Sequence, residues 1–189
     1  YRDEVDDYTQ RHFLAHYKYK FKNNWSLQLN GHYTRGFGYY EQYKGGEEAS
    51  DYGLASWGDT TVAETDLVRR RWLDNHFYGG TFALQWEPRS KWNSTFLLGA
   101  AASRYEGRHY GELIWTQNAP AVPKDFVYYD NNADKSDANA FLKWESRPFT
   151  ELRTFVDLQV RRVGYDFLGF NNDLENVTQN ASLTFFNPK

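Results

Sequence analysis

Between residues 13 and 39, apolar and polar side chains alternate almost without a break. Phe13, Ala15, Tyr17, Tyr19 and Phe21 share one parity, and His16, Lys18 and Lys20 share the other. After Lys22-Asn23-Asn24 the alternation restarts, with Trp25, Leu27, Leu29, Gly31 and Tyr33 set against Ser26, Gln28, Asn30, His32 and Thr34. A period of two puts each set on its own face of a strand. The stretch therefore predicts a hairpin with arms at 8–21 and 25–39. These arms exceed the roughly 5–6 residues of an ordinary strand and reach the roughly 9–11 that cross a bilayer. Phe21 and Trp25 bracket the turn.

The pattern recurs. A third strand is predicted over 73–86, with Tyr78, Gly80, Phe82, Leu84 and Trp86 as its apolar set, and Glu87-Pro88-Arg89-Ser90 turns it. The fourth starts at Trp92, with Ser94, Phe96, Leu98 and Ala100 against Asn93, Thr95 and Ser103. The fifth, 137–145, carries Ala138, Ala140, Leu142 and Trp144, with Phe141 out of step; Ser146-Arg147-Pro148 is read as its turn. In the sixth, Leu152, Thr154, Val156, Leu158 and Val160 oppose Arg153, Asp157, Gln159 and Arg161. The seventh, 175–186, sets Val177, Ala181, Leu183 and Phe185 against Thr178, Asn180, Ser182 and Thr184, and a fourth short turn is expected at Asn187-Pro188-Lys189.

Residues 1–7 read as the tail of a loop, and 40–70, 106–135 and 164–172 as irregular connections. Trp57-Gly58-Asp59 is turn-like within the first of these, and 109–115 within the second is suited to a strand extension. Short turns near residues 23, 89, 147 and 188 carry flanking aromatics, whereas the long connections near 55 and 120 do not. That polarity is the one expected of an outer-membrane barrel, with short turns at one end and long loops at the other. The expected fold is all-β: an antiparallel up-and-down meander of seven long strands, forming an arc of a transmembrane β-barrel. Seven strands leave open edges, which lipid does not tolerate, so residues 1–189 are read as one partial barrel domain. The missing neighbours are expected from the rest of a longer polypeptide or from other chains.

Composition narrows the picture. Aromatic residues make up 19% of the chain, a choice suited to the boundary between lipid and water. Mean hydropathy of -0.84 excludes a bundle of membrane helices but not a barrel, where only alternate residues need be apolar. The net charge of -3 gives no argument for nucleic acid. With no cysteine there is no disulfide framework and no thiolate metal site. The absence of methionine predicts a processed chain or a segment of a longer one.

Several stretches resemble the TonB-dependent outer-membrane receptors, particularly those of the Bacteroidetes type. Residues 33–44, Tyr33-Thr34-Arg35-Gly36 followed by Gly38-Tyr39-Tyr40-Glu41-Gln42-Tyr43-Lys44, are similar to a strand-to-loop junction of such receptors. Residues 66–79, 105–115 and the terminal Phe185-Phe186-Asn187-Pro188-Lys189 are similar to other family stretches. The likeness covers most of the chain and only the barrel. It implies a barrel of about 22 strands with a plug domain in the outer membrane of a Gram-negative bacterium. It also implies uptake of a scarce nutrient such as a ferric siderophore, haem or cobalamin. The implied partners are outer-membrane lipid, the rest of the barrel and its plug, the TonB complex acting through the plug, a surface lipoprotein and the small-molecule nutrient. The alternative reading is a small outer-membrane barrel or adhesin, or a soluble aromatic-rich β binding domain. In the soluble version Tyr17, Leu27, Phe82 and Leu158 would fill a protein core.

Candidate chemistry is sparse. No nucleophile motif, phosphate loop or zinc spacing appears, so no catalytic, cofactor-binding or metal residue is assigned and the chain is read as a non-enzyme. His12, His16, His32, His76 and His109 are read as polar residues lining a wet interior, with His76 near Asp74 the nearest approach to an acid–base pair. Asp130, Asn132 and Asp134, with Ser136 next, have the alternate-oxygen spacing of a calcium loop, but Phe141 stands where a bidentate glutamate belongs. A solvated Asn/Asp turn is the preferred reading there, with calcium as the lesser one. Arg69-Arg70-Arg71 at the base of the first long loop is suited to an anionic ligand or lipopolysaccharide phosphate; a solvated loop end near Glu64 and Asp66 is preferred.

Overall fold

The structure, a computed structural model, describes residues 4–54, 56–57, 60–170 and 175–189, with only the backbone given at 56, 57 and 60. Its strands are β1 Val5–Lys20, β2 Trp25–Glu48, β3 Ser56–Trp57, β4 Thr60–Thr61, β5 Glu64–Trp86, β6 Thr95–Thr116, β7 Phe126–Phe149, β8 Leu152–Leu168 and β9 Gln179–Pro188. β3 and β4 pair as a two-residue ribbon in the first long connection. The other seven form one antiparallel up-and-down sheet in the order β1-β2-β5-β6-β7-β8-β9, open at both edges. The expected all-β meander is thus the observed one. Of the predicted elements, Gly58-Asp59, residues 1–3 and residues 171–172 lie outside the described residues.

Register shows what the alternation achieves. Trp25 pairs with Trp86, Trp86 with Phe96, Phe96 with Trp144 and Trp144 with Val156, one row across five strands. Along it the rings stack at centroid distances of 5.3, 5.4 and 6.3 Å. The next row is Tyr19, Leu27, Leu84, Leu98, Leu142 and Leu158; the one after is Tyr17, Leu29, Phe82, Ala100, Ala140 and Val160. We call this side the tryptophan face. The other carries Lys18, Lys20, Lys44, Lys135 and Lys143 and is the lysine face. Phe141, the exception in the sequence pattern, stands on the lysine face over Gly99, filling the space that a side chain there would occupy.

The apolar band on the tryptophan face runs obliquely to the hydrogen-bonded rows. On β1 it reaches up to Phe13, on β6 it stops at Ala102, and on β8 it covers Leu152 to Val160 and gives way at Arg162. Strands tilted against a common plane produce such a slope, and tilt is obligatory when a sheet curls into a barrel.

Four expectations need correction. The stretches 40–70 and 106–135 are mostly strand, and the first part of 164–172 is strand too: β2 runs on to Glu48, β5 starts at Glu64, β6 runs to Thr116, β7 starts at Phe126 and β8 runs to Leu168. Alternation continues there, but as charge and aromatic on both faces, so hydropathy no longer separates them. Residues 5–7, read as loop, pair with 39–41. The third reversal lies at Thr150-Glu151, because an irregularity between Ser146 and Phe149 absorbs Arg147-Pro148 into β7. Asn187-Pro188 continues β9 instead of turning. Leu158 faces Pro188 and Asp157 exchanges both backbone hydrogen bonds with Lys189, so the proline's missing N–H falls on the free edge, where it breaks no bond.

β9 also faces the other way from its predicted apolar set. Phe186 and Pro188 join the tryptophan face, whereas Ala181, Leu183 and Phe185 oppose Tyr165, Val163 and Arg161 on the lysine face. The pair Phe185-Phe186 puts an aromatic on each side, which leaves parity undecided by sequence; the apolar Val163 and Tyr165 opposite settle it.

Buried apolar side chains are confined to the long-connection end. Ala49, Tyr52, Leu54, Val62, Leu67, Leu113 and Ala119 form the cluster, with Val122, Phe126 and Tyr128 against it. Residues 49–54 and 62 of the first connection and 119–122 of the second fold onto the ends of β5 and β6 there. At the other end, Asn23 and Asn24 take left-handed backbone angles, which asparagine tolerates. Asn24 and Glu87 then exchange hydrogen bonds of 2.9 and 3.0 Å that tie the first short turn to the second.

The β1–β2 register depends on a close approach at Gly38, where a Cβ would collide with the Asp7 carbonyl and the Tyr8 backbone. Gly38→Ala is expected to cost about 1–3 kcal/mol by backbone displacement. At Gly31 the nearest obstacle, the Gly79 carbonyl, is 4.0 Å from a Cβ, so Gly31→Ala is expected to cost little. Urea midpoints of the two variants check this; equal midpoints would contradict the register.

Candidate functional site

The run Arg69-Arg70-Arg71 lies inside β5, so its members alternate in direction. Arg70 stands on the tryptophan face, where it donates to Glu41 at 2.7 Å and covers the Tyr39 ring at 4.4 Å. Arg69 and Arg71 stand on the lysine face. Arg69 Nη1 donates to the Tyr52 hydroxyl at 2.8 Å and Nη2 to Gln42 at 3.4 Å. Arg71 donates to the Tyr40 hydroxyl at 3.1 Å and lies 6.0 Å from the centre of the Tyr129 ring. The expected solvated loop end beside Glu64 and Asp66 is therefore corrected: the arginines are strand residues, half-buried among phenols. Asp66 instead accepts from the Tyr43 hydroxyl and the Gly46 amide.

Around Arg69 and Arg71 opens a cleft of about 530 Å³. Its floor is the lysine face of β5 to β8. Tyr105, His109, Tyr129, Lys135, Tyr165 and Phe167 stand there, and Glu47 at the end of β2 with Asp51 and Tyr52 of the first long connection close it. Tyr52 and Tyr128 approach to 4.8 Å between ring centres, and Tyr128 meets Tyr129 edge to face at 4.9 Å. Asn131 binds the backbone of Phe170 through two hydrogen bonds of 2.9 Å, which fixes the third connection at the rim. Burial pushes the Tyr129 hydroxyl up to about 12 and raises the Tyr52 hydroxyl as well. It pushes the His109 imidazole down, so that ring is neutral at pH 7.

Several arginines elsewhere in the sheet have carboxylate partners. Arg35 pairs with Asp74, Arg104 with Asp134 at 2.7 Å, Arg108 with Asp130 at 2.6 Å and Arg153 with Glu145 at 2.6 Å. Asp130 and Asp134, expected in a loop, are thus β7 residues facing arginines of β6. Among the described residues no three His, Asp or Glu side chains come together as a metal-ligand set. His12 and His16 stand on the lysine face and bond Thr34 and Asn30 at 2.9 and 2.8 Å. His32 stands there too, its ring 4.7 Å from that of Phe77. His76 stands on the opposite, tryptophan face, where Nε2 is 3.9 Å from Asp74 and Nδ1 2.9 Å from the Tyr33 hydroxyl. One imidazole of the five therefore leaves the face to which the sequence assigned them all.

The cleft residues Tyr105, Tyr128, Tyr129, Lys135, Tyr165 and Phe167 went unmarked in the sequence. The available signal was charge complementarity: Arg104 and Arg108 match Asp134 and Asp130 only if 126–135 is a strand beside β6. No protein-family model matches the chain, and no curated protein sequence does either.

The Tyr43 hydroxyl, then the Gly46 amide, hold the Asp66 carboxyl below the usual carboxylate range. A group depressed in the folded state adds stability that is complete above its unfolded value, about 4, and is lost as pH falls through the folded one. Hydrogen-exchange protection of the Gly46 amide should therefore drop on acidification below about pH 4. Asp66→Asn should lower protection at neutral pH and remove the step. Protection that stays constant through that range in the unmodified chain would contradict the assignment.

Proposed function

We propose that this chain is an arc of the wall of an outer-membrane β-barrel, of the TonB-dependent receptor kind, that takes up a small nutrient. The observation that carries the proposal is the tryptophan face. It bears an oblique apolar band, edged at the short-turn end by the stacked row Trp25, Trp86, Phe96 and Trp144, and among the described residues no second layer covers it. Tyr17 is 53% exposed and Leu158 41%, while Leu27 and Phe82 are only half-covered by neighbours in their own sheet. The core demanded by a soluble β-domain is not formed by these residues. A band of this kind with an aromatic girdle is the surface that hydrocarbon requires of a barrel wall.

Above the band, on the same face, the ion pairs Arg35–Asp74, Arg70–Glu41, Arg104–Asp134 and Arg108–Asp130 are interleaved with Tyr39, Trp72 and Tyr110. This is the chemistry of a headgroup layer. The lysine face, hydrogen-bonded and charged along its length, suits a watery interior. The open edges support a wider barrel over a small closed one, and the likeness of residues 33–44, 66–79, 105–115 and 185–189 to TonB-dependent receptors supports that kind of barrel. On this reading the lysine face meets a plug domain driven by the TonB complex, the long connections face outward, and a surface lipoprotein is a further partner there.

Leu158→Arg puts a charge within the apolar band and should destabilise the intact barrel by about 2–4 kcal/mol, whereas Gln159→Arg, one residue on and facing the interior, should cost under about 1 kcal/mol. Urea unfolding in lipid vesicles separates the two. Equal costs would count against a barrel wall.

A further inference from the structure

We infer that the three short turns together form a docking surface for anionic phospholipid, of the phosphatidylglycerol kind. The inference rests on the barrel-wall reading, which sets these turns against the phospholipid leaflet on the periplasmic side, and it adds the headgroup charge that this leaflet has to supply.

Charge is divided between the two ends of the sheet. The turn segments 20–24, 86–95 and 145–153 hold six Lys and Arg side chains against three acids. Residues 45–68, around the first long connection, hold six acids and no Lys or Arg. At the turn end Glu145 is already taken by Arg153 at 2.6 Å. Among the described residues Lys22, Arg89, Lys91 and Arg147 have no carboxylate within ion-pair distance. Arg147 donates instead to the Thr150 carbonyl at 2.7 Å, a bond that holds the guanidinium in place and leaves its charge whole. The turns are also tied to one another. Asn24 and Glu87 join the first to the second, and the Trp92 carbonyl joins the second to the third by accepting the Arg147 amide at 2.7 Å and the Ser146 hydroxyl at 3.2 Å. The cations therefore stand along one rim, and a rim of unneutralised cations is drawn to a surface of negative potential.

The neighbours of these cations specify a lipid surface. Each turn sets an exposed aromatic beside one of them: Phe21 precedes Lys22, Trp92 follows Lys91, and Phe149 stands two residues after Arg147. Phe21 meets the Tyr19 ring at 4.7 Å and Phe149 faces Leu152, which puts both on the tryptophan face. A turn that only reverses the chain draws on Gly, Pro, Asn and Asp. An exposed Trp or Phe there leaves apolar surface in water, whereas at the edge of a bilayer the ring settles among glycerol and upper acyl groups. Lys and Arg beside it lay their stems along the apolar layer and lift their charge to the phosphates.

The test is the fraction of spin-labelled phosphatidylglycerol and of spin-labelled phosphatidylcholine held motionally restricted by the intact barrel in phosphatidylcholine vesicles. At low salt phosphatidylglycerol should associate at least about twofold more strongly. Lys22→Gln, Arg89→Gln, Lys91→Gln and Arg147→Gln made together should remove most of that preference, while Lys124→Gln, in the second long connection, leaves it unchanged. Raising salt to about 0.5 M should remove it from the unmodified barrel as well, a reading that holds even if the fourfold variant fails to fold. Equal restriction of the two lipids, a preference kept by the folded fourfold variant or lost with Lys124→Gln, or one indifferent to salt overturns the inference. Failure of the barrel reading registers differently, as restricted lipid of neither kind, and would sink both.

Discussion

The tryptophan face presents a hydrocarbon-like surface that no other part of the described chain covers, and the fold depends on what meets it. Burial of apolar area is the main force opposing chain entropy. Here the fully buried apolar side chains amount to one small cluster beneath two connections, while Phe13, Tyr17, Leu98, Leu142, Leu158 and Val160 stand exposed in rows. On the proposed barrel-wall reading lipid is the contact that stabilises these rows, and the stacked aromatic row marks the level at which lipid gives way to water.

The backbone imposes the second constraint. Each interior strand has its amides paired on both sides, but β1 and β9 each present an unpaired edge. Hydrocarbon leaves such groups no partner, so a wall facing lipid has to continue beyond both edges. The apolar band reaches the β1 edge at Phe13, Tyr17 and Tyr19 and the β9 edge at Phe186, the places where, on the proposed reading, neighbouring strands would continue it. Pro188, with its missing donor turned to the open side, shortens the pairing available to the next strand at that point.

Most of the sheet was legible in the sequence because positions on the tryptophan and lysine faces differ most in polarity over residues 13–33, 78–86, 96–103 and 152–161. Legibility ended where both faces became amphipathic. In 40–48, 64–72, 104–116 and 126–135, arginines and acids pair across strands on one side while tyrosines and cations gather on the other, so hydropathy carries no period. Glycines at 45 and 46 and the run Asp130-Asn131-Asn132 read as breakers, although each continues a strand. For the same reason the cleft stayed hidden. Its residues come from five strands and two connections, and only the observed register brings Arg71, Tyr105, Tyr129 and Tyr165 together. Phe141 and the β9 parity were misplaced by a subtler effect, the fit of one side chain to its neighbour across the sheet.

Fold and proposed function meet in the division between the faces. On the proposed reading one face is wetted by hydrocarbon and the other holds charge beside water, with a basic, aromatic cleft where the connections close over it. The most direct measurement is collision accessibility of nitroxide labels placed singly at residues 78–86 of the intact barrel in lipid vesicles, a clean experiment because the chain has no cysteine of its own. The account predicts a period of two, with labels at 78, 80, 82, 84 and 86 relaxed by oxygen dissolved in lipid and those at 79, 81, 83 and 85 by a water-soluble nickel chelate. Even-numbered labels shielded from both reagents would mean that protein covers the tryptophan face, and would contradict it.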